Sequence, residues 1–235
     1  MILLKQRELD DLAPCPYLED NTKQYEYFLA HRLDEKETSQ LLSEGWRKFG
    51  IYFFRPKCPG CTDCIPIRVL AQDFSPSKSQ RRNLKKNENM VVKFTEPEFS
   101  HRAYEIYQKH SNDRFQQDSG LELFIHNFYT PSCPYLQSNY YLDNELIGVG
   151  FLDKGTDCLS TVYFFFDPDY STMGIGTFSI LKEIEYAKSL GLSYYYLGYY
   201  VADCERMVYK NRFEPREHYD WMDEKWYLAP AKNKG

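Results

Sequence analysis

Apolar residues change their spacing several times along this chain, and the changes divide it into elements. From Asp34 to Glu44, leucines stand among charged residues at helical spacing, which predicts an amphipathic helix entered at Asp34 and closed by Gly45. Gly50 to Arg55 predicts a short strand. Pro56 and the Cys58-Pro59-Gly60-Cys61 run predict a tight turn, because proline fixes φ and glycine permits a positive one, and Ile65 to Leu70 predicts the strand returning from it. The pattern then breaks at Ser75, where five cations fall within nine positions, and this stretch predicts a linker or boundary. Val91 to Phe94 predicts a strand and Pro97 to His110 a helix, with a helix and loops between Ser111 and Pro134. Strands come next at Ser138 to Leu142, Glu145 to Asp153 and Cys158 to Phe166, the first two joined as a hairpin through Asp143-Asn144. Phe178, Ile180, Leu181, Ile184 and Ala187 predict a helix over Thr177 to Leu190 capped by Gly191, and Ser193 to Tyr200 predicts a buried strand.

Strand, strand, glycine turn, helix, strand is the order of the acetyltransferase-like GNAT fold, whose central strands splay to open a cleft. The expected class is therefore α/β (α+β): a GNAT-like mixed sheet with flanking helices, plus a small Cys-containing N-terminal region. The boundary is drawn at 76, giving 1–76 and 77–235.

Composition narrows the function. A net charge of -5 argues against a protein that coats nucleic acid indiscriminately, since phosphate binding needs Lys and Arg to displace counterions, and no DNA partner is expected. No apolar run is long enough for a membrane span and no export signal is evident, so the expected location is cytoplasmic. Seven cysteines, an odd number, then point to thiols or metal ligands rather than a disulfide framework. Cys58, Cys61 and Cys64 form a C-x2-C-x2-C cluster. With Cys15 as a fourth thiolate it would suit Zn or an Fe-S centre in ligand count, and reduced structural thiols are the other reading.

Three blocks resemble the family of arginyl- and leucyl-tRNA-protein transferases. The first joins Cys15-Pro16-Tyr17-Leu18, the segment Phe54 to Cys64 and the segment Phe74 to Asn83. Val162 to Tyr170 with Gly174 to Thr177 is the second. The third and most specific is Tyr196 to Lys210 with Phe213 to Arg216. The resemblance implies transfer of an amino acid from aminoacyl-tRNA to the N-terminal Asp or Glu of other proteins, marking them for N-degron degradation. Leucyl-tRNA is the implied donor, because the compact length and the cysteine arrangement look like the bacterial branch; arginine is the alternative. The stretch Lys109 to Asp118 departs from the family pattern, with Lys109-His110 where an Arg-His pair and a following Gly-x-Met are expected.

Such a reaction needs no cofactor, because the ester is already activated and the main task is to place an amine against it. Lys78, Arg81 and Arg82 are candidates for binding the tRNA or the acceptor carboxylate, against the plainer reading of a solvated linker. Gly174 and Gly176 resemble a phosphate-binding turn at a helix start, although a helix-closing glycine turn explains them equally well. Tyr199, Tyr200, Tyr209 and Lys210 come after a core strand where a cleft would open; catalytic roles are assigned to Tyr199, Tyr200 and Lys210 and a binding role to Tyr209, while packing with hydroxyls at a rim is the competing reading. Asp167 is either a proton acceptor or a cap for the next turn. A coenzyme A acetyltransferase of the same fold and a non-catalytic tRNA- or metal-binding module are the rival functions.

Overall fold

Alternation of half-buried aromatics with polar residues builds two separate sheets in this protein, whose computed structural model describes residues 1–115 and 120–230. Gln116, Gln117 and Asp118 of the atypical stretch lie outside the described residues.

The smaller sheet is built from β1 (Ile2–Leu9), β4 (Tyr25–His31), β5 (Arg47–Phe49) and β6 (Tyr52–Pro56), in the order β1-β4-β6-β5. A two-stranded ladder of β2 (Ala13–Pro14) and β3 (Thr22–Lys23) lies between the first two in sequence. Helix α1 (Glu35–Ser43) begins as expected: the Asp34 carboxylate accepts from the Glu37 N–H while the Glu37 carboxylate accepts from the Asp34 N–H. Leu41 packs with Phe28, Trp46 and Phe53 beneath this sheet.

The larger sheet has eight strands: β7 (Ile65–Leu70), β8 (Val91–Thr95), β9 (Tyr135–Leu142), β10 (Glu145–Lys154), β11 (Cys158–Phe166), β12 (Tyr194–Tyr200), β13 (Arg216–Asp220) and β14 (Lys225–Leu228). Their spatial order is β14-β13-β7-β12-β11-β10-β9-β8. Asp143 and Asn144 both take positive φ, 49° and 67°, which is the hairpin turn that joins β9 to β10. One face carries α5 (Ile175–Ser189), whose Ile180, Leu181, Ile184 and Ala187 pack on Ile67, Val69, Leu159 and Tyr195. The other face carries α3 (His101–Phe115) and α4 (Leu121–Phe128), with Ile106, Phe124 and Phe128 against Val149, Phe151 and Phe165.

Two expectations are corrected. Ile65–Leu70 does not return alongside β6; it runs antiparallel to β12 and β13 in the larger sheet, so a strand from the N-terminal 76 residues completes the core of the C-terminal region. The basic stretch is not a linker but a helix, α2 (Lys78–Lys86), entered through a Ser77/Gln80 capping box. Its cations face solvent while Gln80 is buried and donates to the Arg212 carbonyl, so composition hid an amphipathic helix with a very narrow inner face.

Candidate functional site

The site lies where two neighbouring strands of the large sheet part. β11 and β12 form the sheet's parallel pair and are in register only from Cys158 to Ser160 and from Tyr194 to Tyr196; beyond that point Thr161–Phe166 and Leu197–Tyr200 no longer pair with each other. The register of β12 against β7 also shifts between Tyr196 and Gly198, and Gly198 sits at φ +84°, a conformation that a side chain would strain. These features open the sheet on one side.

The opening is occupied from below by a side chain that carries no signal in the sequence. Arg47, on β5 of the smaller sheet, reaches into the larger one and donates through Nη1 to Ser160 Oγ and through Nη2 to the Thr161 carbonyl. A Cβ on Gly198 would lie 3.5 Å from both Nε and Nη2, so the guanidinium rests directly against the glycine. Beside it, Tyr199 is buried and its hydroxyl donates to the Gly45 carbonyl at 2.8 Å, fixing β12 to the turn that leads into β5. The Lys210 Nζ donates to the Tyr199 carbonyl at 2.7 Å. Burial, and secondly the nearby Arg47 charge, pull the Lys210 ammonium from its ordinary value down to about 7, against the opposing influence of the Cys64 and Cys204 thiols. A lysine near neutrality can take up a proton at physiological pH.

The remaining candidates fall into three places. Tyr200 stacks on His218 with ring centroids 5.4 Å apart, and Tyr209 is 37% exposed at the rim on the turn that carries Lys210. Burial raises the Tyr209 phenol, which lies within the electrostatic reach of Arg114 and Glu183. Asp167 is 2% exposed and does cap the following turn, accepting from the Asp169 N–H at 3.3 Å. It also accepts from Lys109 at 2.9 Å and Arg102 at 3.2 Å. Burial would raise its carboxyl, but these hydrogen bonds and charges outweigh that and hold it below the ordinary carboxylate range.

Gly174 and α2 meet at the third place. Gly174 takes φ +68° where the 3-10 turn of Pro168–Met173 ends and α5 begins. Asn83 donates to the carbonyls of Met173 and Gly174, and Lys86 donates to the Thr172 carbonyl at 2.7 Å. A Cβ on Gly176 would meet nothing within 4 Å, leaving the first turn of α5 open, and Lys78, Arg81 and Arg82 are exposed on α2. The basic helix and the glycine turn, separate in sequence, thus meet at the start of α5.

Two of the cysteines, Cys64 and Cys204, lie within electrostatic reach of Lys210. Burial, and after it the neighbouring Cys58, Cys15 and Cys61 thiols, push the Cys64 thiol up to about 12. Cys58 exchanges hydrogen bonds with the Gln24 backbone, and Cys61 donates to Asp63 at 3.4 Å. Among the described residues no group of three or more His, Cys, Asp or Glu is arranged to hold a metal ion.

A second group absent from the sequence expectations is Glu183, buried on the sheet-facing side of α5. It accepts from Tyr195, from Ser138 at 3.1 Å and from Tyr140 at 3.3 Å, and burial against these bonds pushes its carboxyl up to about 7. Its signal was present: it occupies an inward position of an otherwise apolar helical stripe.

Comparison with known proteins gives this arrangement its family. An aspartate/glutamate leucyltransferase of Helicobacter hepaticus is 35% identical over 218 residues, covering 86% of this chain and 87% of that protein. The same-named protein of Pseudoalteromonas atlantica is 34% identical over 227 residues, covering 94% and 96%. Among solved structures, that of FemX is 7% identical with a TM-score of 0.48, covering 87% of this chain and 81% of that one. The profile for the N terminus of arginine-tRNA-protein transferase matches residues 13–82 and that for its C terminus matches residues 100–220. With the two family matches together covering most of the chain and the relatives aligned over most of their length, this chain belongs to the arginine-tRNA-protein transferase family.

Proposed function

We propose that this protein transfers leucine from leucyl-tRNA to the N-terminal Asp or Glu of acceptor proteins, in the cytoplasm, and so creates a destabilising N-terminus for degradation. The observation that carries the reading is Lys210: an amine brought near neutrality and fixed on the Tyr199 carbonyl at the mouth of the parted strands. The names of the curated relatives support the donor and the acceptors.

The chemistry suits such a site. An N-terminal ammonium titrates at about 7.7–8.0, so a neutral lysine beside it is basic enough to take its proton. The freed amine attacks the ester carbonyl, the N–C bond forms and the C–O bond to the ribose breaks. Lys210 returns its proton to the departing ribose oxygen, and the second excess proton on the attacking nitrogen passes to water, leaving a neutral amide and a free ribose hydroxyl. Tyr209 and Tyr200, at the rim, offer rings and hydroxyls for the terminal adenosine, and Lys78, Arg81 and Arg82 on α2 offer charge for the tRNA phosphates.

The test is a transfer assay with purified protein, leucyl- or arginyl-tRNA, and peptides that differ only at residue one. Leucine incorporation confined to Asp and Glu peptides is expected. Arginine incorporation would replace the donor, and acetylation from acetyl-coenzyme A without any tRNA-dependent product would replace the reaction.

A further inference from the structure

The charges around the cleft do not balance, and the excess is at Arg47. Its two hydrogen-bond acceptors, Ser160 Oγ and the Thr161 carbonyl, are neutral. The carboxylate close enough to influence it is Asp153, which is already paired with Lys48 at 2.9 Å, both side chains being almost wholly enclosed. Among the described residues, no carboxylate lies within ion-pair distance of Arg47. A guanidinium taken largely out of water without a counter-ion is costly, and its presence calls for an anionic partner that arrives with the substrate.

The position of Arg47 selects which anion. Its guanidinium lies against Gly198, and the next residue, Tyr199, has its carbonyl occupied by Lys210 and its hydroxyl by Gly45. Arg47 and Lys210 are therefore within one residue of each other along β12, each bound at the parted strands. A group that delivers its α-amine to Lys210 carries its own side chain into the space next to that amine. We propose that Arg47, supplied by the N-terminal sheet, binds the side-chain carboxylate of the acceptor's first residue and makes the enzyme choose Asp and Glu over Asn and Gln. The assignment rests on the transfer reading above. It gives the smaller sheet a direct part in acceptor choice: β5 carries the specificity cation across to the cleft, and Gly198 leaves room for it.

The measurement is kcat/KM for leucine transfer to four peptides identical except for Asp, Glu, Asn or Gln at residue one, with wild type, Arg47→Gln and Arg47→Lys. Removing one partner of a desolvated charge pair lowers the reaction by about a hundredfold to a thousandfold. Arg47→Gln is expected to lose that much with the Asp peptide and little with the Asn peptide, so their ratio collapses. Arg47→Lys retains part of it. Equal losses with both peptides would show a role in folding or in the chemical step and overturn the assignment. Wild-type protein that transfers to none of the four would overturn the transfer reading and the assignment together. Should Arg47→Gln fail to fold, phenylglyoxal labelling of the wild-type protein decides. Protection of Arg47 by the Asp peptide and not by the Asn peptide is expected, and equal protection by both rejects the proposal.

Discussion

Two groups of charge flank the open strands, and they are built in opposite ways. Around Asp167 every charge has a partner: the carboxylate accepts from Lys109 and Arg102, and Arg102 also reaches Glu145 at 2.6 Å. Around Lys210 the charges are left over. Among the described residues, Arg47 has no carboxylate within ion-pair distance, and the hydrogen bond of Lys210 goes to a backbone carbonyl. A neutralised cluster has little affinity to spare for a substrate, whereas an unbalanced one is stabilised when the right ion or proton arrives. On the function proposed above, the chemistry belongs to β12 and its following turn, while Asp167 ties the end of β11 to α3 through Arg102 and Lys109.

The largest effect expected from this contrast is that of Lys210→Met, which keeps the packing and removes the amine. Loss of a general base lowers kcat by about a hundredfold to ten-thousandfold. In wild type, transfer should rise as pH increases through about 7, because the amine is active only after it loses its proton. Stability tracks the same group. With its proton affinity pulled below the ordinary 10.5, the folded chain binds fewer protons than the unfolded chain between about 7 and 10.5, and wild type gains stability across that window. Lys210→Met should lack both the activity rise and this gain. A variant with normal kcat would move the chemistry elsewhere.

Asp167→Asn should do the reverse. It leaves Lys109 and Arg102 facing a neutral amide and costs about 1–2 kcal/mol, a modest figure because both cations reach solvent. Its carboxyl is held low, so this stability is present above the ordinary carboxylate range and is lost as pH falls through the depressed value. Urea melts at pH 7 and at successively lower acid pH measure it: the gap between variant and wild type should be full at pH 7 and shrink as pH falls below the ordinary carboxylate range. A kcat loss comparable with that of Lys210→Met would dissolve the distinction between the two clusters.

Much of this architecture was legible because local rules and tertiary context agreed. Asp34 with Glu37 announced a helix start, Asp143-Asn144 announced a hairpin, and Ile65 to Leu70 read as a strand to the residue. What failed was partnership. Nothing local states that β7 joins β12 rather than β6, since strand pairing is chosen by which faces can be buried together. Tyr25–His31 was missed as a strand because its residues are half-buried and mixed with charge on a sheet whose partner β1 is mostly exposed. The site shows the same division. Lys210 and Tyr199 were named as candidates from a motif, but Arg47, far earlier in the chain, carries no local mark of a cleft residue: it follows Trp46 and opens a three-residue strand whose direction only the fold supplies.

The smallest expected effect concerns the basic surface, and it separates long-range attraction from cleft chemistry. Arg82 is exposed on α2, next in sequence to Asn83, which donates to the Gly174 carbonyl. If it contacts one tRNA phosphate, Arg82→Ala weakens leucyl-tRNA binding by a few-fold and lowers the slope of log affinity against log salt by about 0.7–0.9, the release of one counterion. Binding measured by filter retention between about 50 and 200 mM salt reads that slope. At saturating tRNA kcat should be unchanged, because the residue acts on association and not on the ester. An unaltered slope would mean that the cations of α2 only solvate a helix, and the surface where α2 meets the start of α5 would then have to bind the donor through Lys78, Arg81 or the backbone of Gly176 alone.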